Sequence, residues 1–166
     1  MMEGSDRRAF VQHRLGTKPL LYQGVDVQQR PKSNERVHVY VDVSGSMSDV
    51  VKPLYGAMLD CKDWVANTVH LFSTKVEDIT PAELMAGKLS STGGTDIECV
   101  ARHMADHSIT RAIILTDGFV GAPSKTSASL LAKVRLAAAW VGGSVNKRDI
   151  GRFVGRQVGL MLPRTT

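Results

Sequence analysis

The sequence predicts an α/β protein: an open, mostly parallel sheet with helices on both faces and one short antiparallel edge strand. Three observations predict it. The runs Val37-His38-Val39-Tyr40-Val41-Asp42-Val43 and Ala112-Ile113-Ile114-Leu115-Thr116 are apolar on both faces, as central parallel strands must be. Segments with apolar residues at three- and four-residue steps lie between such runs along the whole length. Strands alternating with helices in this way build a parallel sheet covered on both sides.

Taken in order, strand 37–43 is followed by an apolar stripe of Val51, Leu54, Met58, Cys61 and Val65. That spacing predicts a helix capped by Ser48, with Pro53 tolerated in its first turn. Residues 69–72 read as a second strand and 75–79 as a short third one, antiparallel if the two residues between them form a tight hairpin. A short helix over 81–88 precedes the Gly-rich loop 89–95. The next helix, 96–107, turns Ile97, Val100, Ala101 and Met104 inward. Strand 112–116, helix 127–136, strand 137–141, helix 149–155 and a last strand near 157–162 complete the reading.

The chain has 166 residues, enough for one domain with a sizeable core. With 43% apolar and 22% charged residues it is not a disordered chain. It contains no apolar run of the roughly 18 residues that a membrane span needs. Residues 1–33 are polar and broken by Gly16, Pro19, Gly24 and Pro31, so they read as an N-terminal arm or the end of a preceding segment, with the domain proper over 34–166. The first residues lack the apolar stretch of a secretory signal. Cys61 and Cys99 both fall in predicted helices, which suits buried thiols in a reducing compartment and a cytoplasmic location. Charge is uneven: residues 1–36, 37–122 and 123–166 carry +3, −5 and +7. A basic tail can meet nucleic acid or an acidic partner, although no Arg-rich run with interleaved aromatics favours nucleic acid here.

The acidic middle holds the chemistry. Asp42-Val43-Ser44-Gly45-Ser46 follows strand one, Gly93-Gly94-Thr95 precedes a helix, and Thr116-Asp117-Gly118 ends the apolar strand. In an open parallel sheet, ligands bind at the carboxyl ends of the strands, where strand order reverses. Two carboxylates and three hydroxyls at that edge are hard oxygen ligands. They suit Mg²⁺, which takes octahedral oxygen at about 2.0–2.1 Å and keeps some of its waters; Mn²⁺ or Ca²⁺ are the alternatives. The alternation of Ser44 and Ser46 points both hydroxyls the same way, with Gly45 letting the backbone turn between them. The absence of Cys or His from these motifs disfavours Zn²⁺ there.

Asp-x-Ser-x-Ser at 42–46, Thr95 in a Gly-rich loop and Asp117 at a strand end together resemble the metal-ion-dependent adhesion site of the von Willebrand factor A family. The resemblance spans roughly residues 34–162. It implies a Rossmann-like fold in which Ser44, Ser46 and Thr95 touch the metal directly, while Asp42 and Asp117 act mainly through water, or directly in some states. It also implies that an acidic residue of a protein partner completes the coordination. Intracellular relatives often work with AAA+ ATPases of the MoxR or chelatase type, so the resemblance implies an adaptor role beside such a partner.

Other candidates are weaker. His103 and His107 are four apart on a predicted helix, a ligand-like spacing, but without the glutamate of His-Glu-x-x-His they read as surface histidines. Met47 and Phe119 flank the metal loops as apolar candidates for partner contact. No phosphate-binding Gly-x₄-Gly-Lys-Ser/Thr motif, no Gly-x-Ser-x-Gly elbow and no Asp-x-Asp pair is present, so an enzyme is not expected. The alternative functions are a Mg²⁺-assisted phosphoester hydrolase at the same loops, or a nucleic-acid-binding module using the basic C-terminal segment.

Overall fold

A computed structural model describes residues 36–47, 61, 63–88, 91 and 93–160. All of these belong to one compact unit, Pro31–Thr166. The expected N-terminal arm, the Ser48 cap, Pro53 and the stripe of Val51, Leu54 and Met58 lie outside the described residues.

Six strands form one sheet: β1 (Val37–Asp42), β2 (Val65–Phe72), β3 (Val76–Ile79), β4 (Arg111–Thr116), β5 (Arg135–Val141) and β6 (Val154–Leu160). Their spatial order is β3-β2-β1-β4-β5-β6, with every pair parallel except the β2–β3 hairpin. This is an open, mostly parallel, Rossmann-like α/β sheet with one short antiparallel edge strand. The chain runs outward from β1 to β3, then returns to pair β4 against the other side of β1. Strand order therefore reverses between β1 and β4, and the loops leaving these two strands flank the crevice.

Strand alternation divides the core in two. On one face Tyr40, Phe72, Ile114, Leu136, Ala138 and Trp140 pack beneath α2 (Ile97–Asp106) and α3 (Lys125–Leu131), through Val100, Ala101, Met104 and Leu131. On the other face Val39, Val41, Val69, Leu71, Leu115 and Val141 pack with Met47 and with Leu84 of α1 (Pro81–Met85). Helices thus lie on both faces. The expected inward face of α2 is the one observed: Ile97, Val100, Ala101 and Met104 are all buried.

Several boundaries differ from the sequence reading, each for a physical reason. Val65 opens β2 rather than closing a helix, because its register with Val37 extends the central ladder. The expected helix 127–136 begins at Lys125, where Ser124 caps the amide of Ser127, and stops at Leu131. Arg135 then joins the sheet, donating its amide to the Thr110 carbonyl and pairing with Arg111. The expected helix over 149–155 is only a 3-10 turn, Gly151–Phe153, because pairing with β5 draws the chain into β6 from Val154. Cys61 is exposed in a turn rather than buried in a helix, and Cys99 on α2 is only partly buried. Among the described residues, no helix is long and apolar enough to cross a membrane.

Candidate metal centre

Asp42 is the last residue of β1 and completely buried, on the same sheet face as Tyr40. Both its oxygens are engaged. Oδ1 accepts the Ser44 amide at 2.9 Å, which closes the turn after β1. Oδ2 accepts the Thr116 hydroxyl at 2.6 Å, which ties β1 to the end of β4 across the strand-order reversal. Thr116 in turn accepts the Gly118 amide at 2.9 Å, so one carboxylate organises both loops.

Beyond Asp42 the chain makes a 3-10 turn, Gly45–Met47, that sets the Ser44 and Ser46 hydroxyls 3.2 Å apart. Ser44 is buried and Ser46 exposed, so the pair leads from the carboxylate to the surface. In the loop after β4, Asp117 accepts the Phe119 amide at 3.1 Å through Oδ1. Its carbonyl accepts the Asn146 amide, bringing the 142–146 loop alongside. Gly118 is obligatory here: its φ is +89°, and a Cβ would lie 2.1 Å from the Asn146 carbonyl oxygen.

Thr95 lies partly buried in the loop before α2. The residues just after it are fixed to the same edge: the Asp96 amide donates to Ser73, just past β2, and the Ile97 amide to Val120, just past β4. Asp42, Ser44, Ser46 and Asp117 thus share the carboxyl edge at the β1–β4 junction, and Thr95 belongs to a loop anchored on that edge. Ser46, Asp117, Phe119, Val141, Gly142, Gly143 and Ser144 line an open depression of about 520 Å³ beside them.

Burial pushes the Asp42 carboxyl above the ordinary carboxylate range, and the Asp117 charge adds to this. The hydrogen bonds from Thr116 and Ser44 offset only part of it. Among the described residues, no Lys or Arg forms an ion pair with Asp42, and none is among the main causes of its shift. A buried acid solvated by neutral donors alone favours a nearby cation.

The two apolar flankers separate. Met47 is fully buried in the second core, so it holds the turn from below and is not a partner contact; Phe119 is 55% exposed at the rim of the depression. Thr116, which the sequence reading left out of the site, is the residue that joins the two loops. The available signal was a hydroxyl at the last position of an apolar strand, directly before the strand-end Asp117.

A second group lies on the α2 face of the sheet, among β2, β3 and α2. His70, Asp78 and His103 bring ligand atoms within 4.8 Å of one another and could hold a metal ion. His70 is buried, His103 partly buried and Asp78 exposed. His103 is therefore not the surface residue expected from its spacing, whereas His107 is exposed and stacks on it at 4.1 Å.

Compared with models of known protein families and with curated proteins, the chain matches none.

Proposed function

We propose that the chain is a metal-dependent protein-interaction module. It holds a hard divalent cation, Mg²⁺ first, at the β1–β4 junction and presents it to a carboxylate of a protein partner. Ser44, Ser46 and Thr95 are the direct ligands, with Asp42 and Asp117 acting from behind or through water. The observation that carries this reading is Asp42: a fully buried carboxylate at the strand-order reversal, without a cationic partner among the described residues, beside two convergent hydroxyls. Oxygen donors of this kind select a hard ion.

The depression lined by Ser46, Asp117 and Phe119 gives the incoming side chain somewhere to sit, and exposed Phe119 supplies an apolar contact at its rim. A carboxylate that completes the Mg²⁺ shell gains charge-assisted bonding that neither partner has alone. The resemblance to the von Willebrand factor A family supports the same reading, and an AAA+ ATPase is the partner class it suggests.

The test is calorimetric titration of Mg²⁺ into the wild-type chain and into Ser46→Ala. Ser46 is exposed, so its loss leaves the core intact. The expected result is binding to wild type and at least about tenfold weaker binding to the variant. Equal binding by both proteins would remove Ser46 from the site and sink the ligand assignment.

A further inference from the structure

The geometry points to a second metal site of different chemistry: His70, His103 and Asp78 bind a zinc-type ion that joins β2, β3 and α2, with water in the fourth position. Two imidazole nitrogens and one carboxylate oxygen form a borderline donor set, which Zn²⁺ prefers and Mg²⁺ does not.

The inner atoms converge on one point. His70 Nδ1 lies 2.6 Å from Asp78 Oδ1, and His103 Nε2 lies 3.3 Å from the same oxygen. In a tetrahedral zinc site with bonds of roughly 2.0–2.1 Å, neighbouring ligand atoms are about 3.3 Å apart. The His103–Asp78 spacing already has this value. The His70–Asp78 contact is a hydrogen bond that must lengthen as the ion enters.

The outer nitrogens are held as metal-bound imidazoles require. His70 Nε2 is 2.9 Å from His38 Nδ1, and His103 Nδ1 is 2.8 Å from the Tyr40 hydroxyl. Metal-ligating histidines nearly always have the second ring nitrogen hydrogen-bonded, which fixes the tautomer and aims the first. Both outer partners work in either direction. Without metal, the inner nitrogens donate to Asp78, while His38 and Tyr40 donate to the outer ones. With metal, the inner lone pairs face the ion and the outer nitrogens donate to His38 and Tyr40.

The path to solvent is at Asp78, whose side chain is 43% exposed. His107 lies outside the group whose ligand atoms come within 4.8 Å of one another; its Nδ1 donates to the His103 carbonyl at 3.0 Å and its ring lies against the His103 ring. The site stands apart from Asp42: Tyr40, His70 and Asp78 form one row across β1, β2 and β3, two residues before Asp42 along β1. A metal there pins the four-residue edge strand β3 to the body of the protein.

Co²⁺ in place of Zn²⁺ makes the site visible, since tetrahedral Co²⁺ with nitrogen ligands absorbs strongly in the visible and octahedral all-oxygen Co²⁺ does not. Titrating Co²⁺ into the wild-type chain is expected to give one strong band, saturating at about one equivalent and erased by Zn²⁺. Asp78→Ala and His103→Ala should each lose the band, with folding checked by circular dichroism, while Ser46→Ala keeps it. A folded wild-type protein without the band would reduce the cluster to a hydrogen-bonded network. A band unchanged in both cluster variants, or lost in Ser46→Ala, would place the ion elsewhere and overturn the proposal equally.

Discussion

Asp42 does two things that pull against each other. Its carboxylate closes the turn after β1 through Ser44 and clamps β4 through Thr116, yet burial raises its pKa and penalises its charge. Removing it in Asp42→Ala strands a buried hydroxyl and a buried amide, which costs about 1–3 kcal/mol of stability. Urea denaturation in EDTA should show that loss, and an unchanged midpoint would mean that water replaces the carboxylate freely. For this reason Asp42→Ala is a poor probe of metal binding, and exposed Ser46 is a better one. Gly118 presents the same argument in backbone form. Gly118→Ala forces a side chain onto a left-handed φ and into the Asn146 carbonyl, so a loss of about 1–3 kcal/mol or more is expected by the same measurement. A neutral effect would mean that the 142–146 loop yields without cost.

At the scale of elements, the β2–β3 hairpin shows where the sequence stops being legible. The sequence placed a two-residue connection between strands ending at 72 and starting at 75, which would set His70 against Glu77. The structure pairs Phe72 with Val76, and so His70 with Asp78. A one-residue shift of register moves side chains to the opposite face of a strand, so the histidine–carboxylate group could not be seen before the hairpin was fixed. The helix α2 was legible because its apolar stripe is unambiguous, but the partner of His103 depended on that same register.

The hairpin cluster also carries a pH prediction. Burial lowers the pKa of His38, His70 and His103 below the usual 6.5, and neighbouring imidazoles lower them further, against the pull of Asp78. At Asp78 burial pushes the carboxyl up, but the His70 hydrogen bond and the surrounding imidazoles outweigh it and leave a net lowering. A depressed histidine pKa means the fold favours the neutral ring. Stability is then full above 6.5 and lost as pH falls through the lowered values, and the depressed Asp78 adds to that loss further down. The fall in denaturation midpoint in EDTA between about pH 8 and about pH 5 should therefore be larger in the wild type than in His103→Ala, the opposing contribution of Asp42, whose pKa is raised, being common to both. The same pH dependence in both proteins would contradict the buried, neutral network.

Across the whole molecule, the fold was legible because each central strand is apolar on both faces and each loop motif sits where a strand stops. Asp42, Ser44, Ser46 and Asp117 are brought to one edge by the position of β1 and β4 at the strand-order reversal. Local sequence alone placed them at the ends of two strands; adjacency of β1 and β4 made those ends neighbours. What local sequence hid was depth: Met47 and Phe119 flank the same loops, and only the packing of the second core buries the former and leaves the latter exposed. The folded core itself depends on large side chains such as Trp140, fully packed beneath α2 and α3, with its indole donating to Gln157 on β6. Trp140→Ala should cost about 3–5 kcal/mol, read as a lower denaturation midpoint, and a loss under 1 kcal/mol would mean the first core repacks around the void.

If the β1 and β4 loops hold a hard divalent cation, binding to the folded state alone stabilises the whole protein by linkage. The most direct measurement is calorimetric titration of Mg²⁺, and of Mn²⁺ as its surrogate, into the wild-type chain and Ser46→Ala, with thermal denaturation of the same samples. The expected result is one site in the wild type, with a stability gain of about 2.7 kcal/mol at a hundredfold excess of metal over its Kd, and the loss of both signals in Ser46→Ala. Binding and stabilisation that persist in the variant, or a wild-type protein that binds neither ion at millimolar concentration, would contradict it.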